Sequence, residues 1–188
     1  MQMDEQSQTE RPARRWTLEE FERMCDAGIF GPEERIELID GEILPMSPEN
    51  PEHAAVVGIA NERLRKAFGK RFYVRIGNPV PLDGFSQPQP DLAVVPGKPE
   101  DYRKNHPRTA LLVVEVSFSS RSFDRGRKQL LYARTGIAEY WMIDLVARCV
   151  FVHRDPAKKG YRDVVRHESG SVQPLHATRS VSIDDLLG

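Results

Sequence analysis

Short apolar runs alternate with polar, turn-rich links along the chain, and the spacing of the apolar positions changes from run to run. Thr17 followed three residues later by Glu20 predicts a capping box and a short helix to about Ala27, stopped at Gly28. Arg35–Met46 alternates around Asp40-Gly41, a dipeptide that predicts a two-residue hairpin. Pro48 and Pro51 lead into a helix from about Glu52 to Phe68, with Val56, Val57, Ile59, Ala60 and Leu64 along one stripe. Phe72–Ile76 reads as a strand, followed by a proline- and glycine-rich link over 77–89. Two apolar runs come next, Asp91–Val95 and Leu111–Val116, separated by the charged, proline-rich loop Pro96–Arg108. The second run is apolar on both faces, which predicts a central strand. A helix capped by Ser120 or Ser122 and closed by Gly136 leads to strands at Tyr140–Asp144 and Cys149–His153, with Tyr140 and Trp141 in the core. Tyr161–Arg166 predicts an edge strand, and the final SIDDLLG one capped helical turn. Strands interleaved with helices predict an α/β fold, a mixed β-sheet flanked by helices.

One acid interrupts the central run: Glu115, within Leu111-Leu112-Val113-Val114-Glu115-Val116. A carboxylate is costly to bury without a partner. If Asp91 and Glu115 lie on strands of one sheet, their carboxylates converge at one edge. With the Val116 carbonyl and waters they suffice for Mg²⁺ or Mn²⁺, since magnesium takes oxygen ligands and keeps several waters. Two other roles stay open at this level. Asp91, following Pro90, can bond nearby backbone amides as a turn aspartate, and Glu115 can form a buried ion pair with Arg75.

The 188 residues suit a single domain with a sizeable core, over 16–188, after a polar tail Met1–Arg15 expected to be disordered. No stretch approaches the roughly 18 apolar residues of a membrane span, and the N-terminus lacks the apolar segment of a signal peptide. A cytoplasmic location with no membrane partner is therefore expected. Cys25 and Cys149 are expected to be free, buried thiols. No zinc-ligand spacing, phosphate loop, nucleophile elbow or dinucleotide fingerprint is present. Net charge is −1, but it is unevenly spread: residues 1–62 carry −10 and residues 63–188 carry +9. The basic part can face phosphate, or the two parts can attract each other within the fold.

Three segments, RIELIDGEILPMSPENPEH, PQPDLAVV and LLVVEVSFSSRSFDRGRKQLLYARTGIAEYWMID, resemble the Uma-two family. These are restriction-endonuclease-like proteins of the PD-(D/E)XK nuclease superfamily, and the likeness runs from about Trp16 to about Tyr161. It implies a restriction-endonuclease-like fold and Mg²⁺- or Mn²⁺-dependent hydrolysis of DNA, with Asp91, Glu115 and the Val116 carbonyl as metal ligands. The superfamily's usual lysine lies two positions after the acid; here that position is Ser117, which cannot ionise. The family supplies a lysine from the following helix instead, and Lys128 matches that place. An exposed Asp124–Lys128 pair, four residues apart, is the alternative. By the same resemblance Glu37 is a third carboxylate near the metal, or else a solvent-facing strand residue. His53, Asp124 and Tyr132 are candidates to orient the substrate, though Tyr132 can equally pack. Nucleases of this type pair subunits, so a homodimer is expected. Ser117 and the near-neutral charge keep a second possibility open, a catalytically inactive nucleic-acid-binding or assembly module on the same fold. No base-reading motif appears, so DNA sequence preference is not legible.

Overall fold

Helix α1 (Leu18–Asp26) starts where the capping box places it. The Thr17 hydroxyl accepts from the Glu20 N–H at 3.2 Å, and the Glu20 carboxylate accepts from the Thr17 N–H at 2.9 Å. Strands β1 (Ile36–Ile39) and β2 (Glu42–Pro45) form the expected hairpin. Asp40 and Gly41 both have positive φ, 54° and 81°, as a type I′ turn requires. A Cβ on Gly41 would lie 2.7 Å from that of Arg15, so the N-terminal segment closes against the turn. The computed structural model describes residues 13–46, 50–118 and 124–188. The expected helix caps Ser120 and Ser122, and most of the expected tail, lie outside those residues.

Helix α2 (Pro51–Phe68) is capped by Asn50, whose side chain accepts the His53 N–H at 2.8 Å. After it come β3 (Phe72–Ile76) and β4 (Leu92–Pro96), then β5 (Leu112–Ser117), a π-helical turn at Asp124–Lys128 and helix α3 (Gln129–Arg134). Strands β6 (Glu139–Asp144), β7 (Cys149–Ala157) and β8 (Gly160–His167) form a meander. A short pair, β9 (Ser171–Val172) and β10 (Val181–Ser182), precedes α4 (Ile183–Leu187), which Ser182 caps. Strands β3 to β8 make one six-stranded sheet in sequence order, all neighbours antiparallel except β5 and β6. The mixed sheet is thus the expected one, and β5 is interior and buried along its whole length.

Two apolar layers cover the sheet. On one side Val56, Ala60 and Leu64 of α2 and Ile183 and Leu186 of α4 pack on Leu112, Val114, Val116 and Trp141. On the other, Tyr132 and Ala133 of α3 pack on Ala93, Val113, Tyr140 and Met142. Of the cysteines, Cys149 is buried and Cys25 exposed, which corrects the expectation of two buried thiols; neither forms a disulfide. Cys25 shares the helical face of Leu18 and Phe21 but sits in the last turn of α1, beyond the buried residues of that helix. The uneven charge is partly used internally: Glu42 pairs with Arg127 at 2.7 Å, Asp40 with Arg134, and Glu37 with Lys128.

Candidate active site

Strand alternation aims Glu115. Leu112, Val114 and Val116 enter the α2 side of the core and Val113 the α3 side, so Glu115 faces α3. It is 5% exposed there. Its Oε1 accepts from the Lys128 ammonium at 3.1 Å and from the Tyr132 hydroxyl at 2.7 Å. Lys128, 5% exposed, closes the π-helical turn, and its Nζ also lies 3.1 Å from Oε1 of Glu37 on β1. Glu37 is itself buried, and its Oε2 accepts the Gln89 N–H at 3.2 Å. The Gln89 side chain donates to the Ile36 carbonyl at 3.2 Å, and Leu38 bridges to Gln87. These bonds tie the hairpin to the link before β4 and deliver Glu37 to the site.

Asp91 comes from the start of β4. Leu92 pairs with Val114, so one further step along the register sets Asp91 level with Glu115. Its Oδ2 accepts the Val116 N–H at 2.6 Å and lies 3.2 Å from His53 Nε2, at the N-terminus of α2. The fold therefore gathers Glu37, His53, Asp91, Glu115, Lys128 and Tyr132 around the meeting of β4 and β5. The side chain of Asp124 lies outside what the structure describes. Arg75 is not the partner of Glu115; it donates to His106 Nδ1 at 2.8 Å. Neither an exposed Lys128 nor a solvent-facing Glu37 fits their burial. Ser117 is fully buried, and its Oγ has no hydrogen-bond partner among the described residues.

Burial first, then the charges of Glu115 and Glu37, push the Tyr132 hydroxyl well above its ordinary range. It therefore stays a donor to Glu115 at neutral pH. Among the described side chains, the Lys128 ammonium lies between the Glu37 and Glu115 carboxylates, and Asp91 stands level with Glu115. Replacing a buried ion pair by packed apolar residues is often neutral or stabilising, so such a cluster is poorly explained by stability alone. A hard cation suits it: two carboxylates on adjacent strands, with water, meet the needs of magnesium. No group of three or more His, Cys, Asp or Glu side chains able to hold a metal occurs among the described residues, so a protein cage is not what the donors offer. The sequence did not single out Gln89. Its signal was present in Pro88-Gln89-Pro90, a run in which Gln89 alone has an N–H to give.

A family model described as Uma2, "Putative restriction endonuclease", matches residues 18–184. Among solved structures, a putative nuclease of Anabaena variabilis belonging to DUF820 superposes with a TM-score of 0.72. It is 20% identical, and the match covers 91% of this chain and 97% of that one. At that identity the likeness concerns the fold. No curated protein matches the chain.

Proposed function

The chain belongs to the Uma2 family, and from that premise we propose that it is a metal-dependent nuclease hydrolysing DNA phosphodiester bonds. The observation that carries the proposal is the buried Glu37–Lys128–Glu115 cluster, with Asp91 level with Glu115 on the neighbouring strand. Asp91, Glu115 and the Val116 carbonyl would hold Mg²⁺ or Mn²⁺. Such an ion, when bound, lowers the pKa of a bound water and offsets charge on the scissile phosphate.

The protein's own groups do the rest. His53 and the Val116 amide fix Asp91, as Tyr132 and Lys128 fix Glu115, so both carboxylates keep their positions as substrate arrives. The Lys128 ammonium, anchored on Glu37 and Glu115, is a preorganised donor for the attacking water and for the charge that develops on phosphate. Water oxygen adds to phosphorus and gives up a proton to solvent, the bond to the 3′ oxygen breaks, and that oxygen takes a proton from solvent. A homodimer would bring two such sites to the two strands of a duplex, and a DNA substrate fits a cytoplasmic protein. No described helix is long and apolar enough to cross a membrane.

Nicking of supercoiled plasmid with Mn²⁺ at low salt tests the activity. Wild type should nick, and Lys128→Ala should nick about 10²–10³-fold more slowly, the usual cost of one transition-state donor. Equal rates would remove Lys128 from the chemistry. DNA binding without nicking under any divalent metal would favour the inactive binding module, to which Ser117 lends weight. A sedimentation mass that stays monomeric at all concentrations would remove the dimer.

A further inference from the structure

Arg75 is a buried cation with no anion beside it among the described residues. It lies on β3 and is 3% exposed. Its guanidinium donates to His106 Nδ1 at 2.8 Å and to the Pro79 carbonyl at 3.4 Å, and sits 5.6 Å from the Tyr102 ring centre. Its Nε is buried and has no hydrogen-bond partner among the described residues. A charge this buried is costly without compensation, and a guanidinium fork matches phosphate in geometry. What covers it is thin. His106 is exposed and must be neutral at Nδ1 to accept from Arg75; burial, then Arg75 itself, hold its pKa below the ordinary value, while Glu22 of α1 opposes them.

The loop that carries His106 continues the theme. Arg103, Lys104 and Arg108 are all exposed, and none is in an ion pair among the described residues. The nearby acids are Asp101, which accepts the Lys98 N–H at 2.9 Å, Glu100 in the same 3₁₀ turn, and Glu22 of α1. Through His106 the loop reaches a residue near the site. Arg75 pairs with Ala93, two residues along β4 from Asp91.

We propose that the β4–β5 loop, with Arg75 beneath it, is a phosphate-binding surface that holds the DNA backbone beside the catalytic cluster, which rests on the nuclease function above. Arg103, Lys104 and Arg108 supply the outer contacts. The His106 ring swings aside for a phosphate to reach the Arg75 fork.

Fluorescence anisotropy with a labelled 20-base-pair duplex, in EDTA so that nothing is cut, measures this over a salt series. The variant is Arg103→Ala, Lys104→Ala, Arg108→Ala. A control of equal charge, Lys158→Ala, Lys159→Ala, Arg179→Ala, lies elsewhere on the surface. The loop variant should lose at least about tenfold in affinity, and its log–log salt dependence should flatten by about 2–3, since each lost phosphate contact removes roughly 0.9 from the slope. The control should stay within about twofold, as a local surface and not net charge is at stake. Arg75→Gln, with its melting curve recorded, should also bind about tenfold more weakly. If wild type binds and the loop variant matches it, the surface is wrong while the nuclease function stands. If wild type binds duplex DNA neither in EDTA nor with Ca²⁺ in place of Mn²⁺, both fail together.

Discussion

Replacing Lys128 by methionine isolates the electrostatics of the cluster, because the two side chains are close in length and only one is charged. The ammonium lies 3.1 Å from a carboxylate oxygen on each side, with both partners buried. At an effective dielectric near 20, each contact is worth roughly 5 kcal/mol of gross attraction. Desolvating the ammonium costs several kcal/mol of that, but its removal leaves Glu37 and Glu115 buried and repelling each other. The net loss for breaking such a buried pair is about 3–5 kcal/mol. In a protein of this size each kcal/mol moves the melting temperature by about 2–4 °C, so Lys128→Met should melt roughly 10 °C lower. Adding Glu37→Gln should recover at least about half of the loss, because it removes one of the stranded charges. Urea unfolding of the wild type, both single variants and the double variant at neutral pH completes the cycle. An exposed Asp–Lys helix pair would be worth only about 0.3–0.5 kcal/mol. A loss below about 1 kcal/mol for Lys128→Met, or no recovery in the double variant, would refute the buried cluster.

Tyr132→Phe removes a fully buried hydroxyl that donates to Glu115, and should cost about 2 kcal/mol in urea unfolding; an unchanged midpoint would mean that Tyr132 only packs. His53→Ala removes the group holding Asp91, and Mn²⁺ affinity by calorimetry should fall about 10–100-fold, as for other groups that orient metal ligands. Equal affinity would make His53 a bystander. His106 is held below its ordinary pKa, so the unfolded chain protonates first as pH falls. The stability this provides is present above about pH 6.5 and is lost as pH falls through the lower folded value. His106→Gln should therefore flatten the fall in melting temperature below about pH 6.5, and an unaltered slope would contradict the Arg75–His106 contact.

Most of the fold was legible because local chemistry and burial agree. The Thr17–Glu20 capping box, the Asp40-Gly41 turn and the apolar β5 run each have one low-energy solution, and the chain adopts it. The acid in β5 was visible for the opposite reason: it conflicts with its surroundings. The partners of that acid were harder to read. Four-residue spacing put Lys128 on an α-helical surface beside Asp124, but the backbone there is a π-helical turn, which does not keep 3.6-residue periodicity. The Lys128 ammonium instead points inward. Glu37 was ambiguous because its burial depends on Gln87 and Gln89, some fifty positions away. Arg75, one alternative partner for Glu115, turns elsewhere for a similar reason. Its partner His106 sits in a loop whose path no local pattern specifies. The short β9–β10 pair, two residues per strand, carries too little alternation to be seen.

The central claim is that Asp91 and Glu115 together hold a divalent metal. Titrating Mn²⁺ into the full chain while following thermal unfolding tests it, since a ligand that binds only the folded protein stabilises it by mass action. Wild type should melt progressively higher with Mn²⁺, by about 2.7 kcal/mol of added stability at a hundredfold excess over Kd. The Asp91→Asn, Glu115→Gln double variant should not respond. Equal metal-induced shifts in the two proteins would contradict the account.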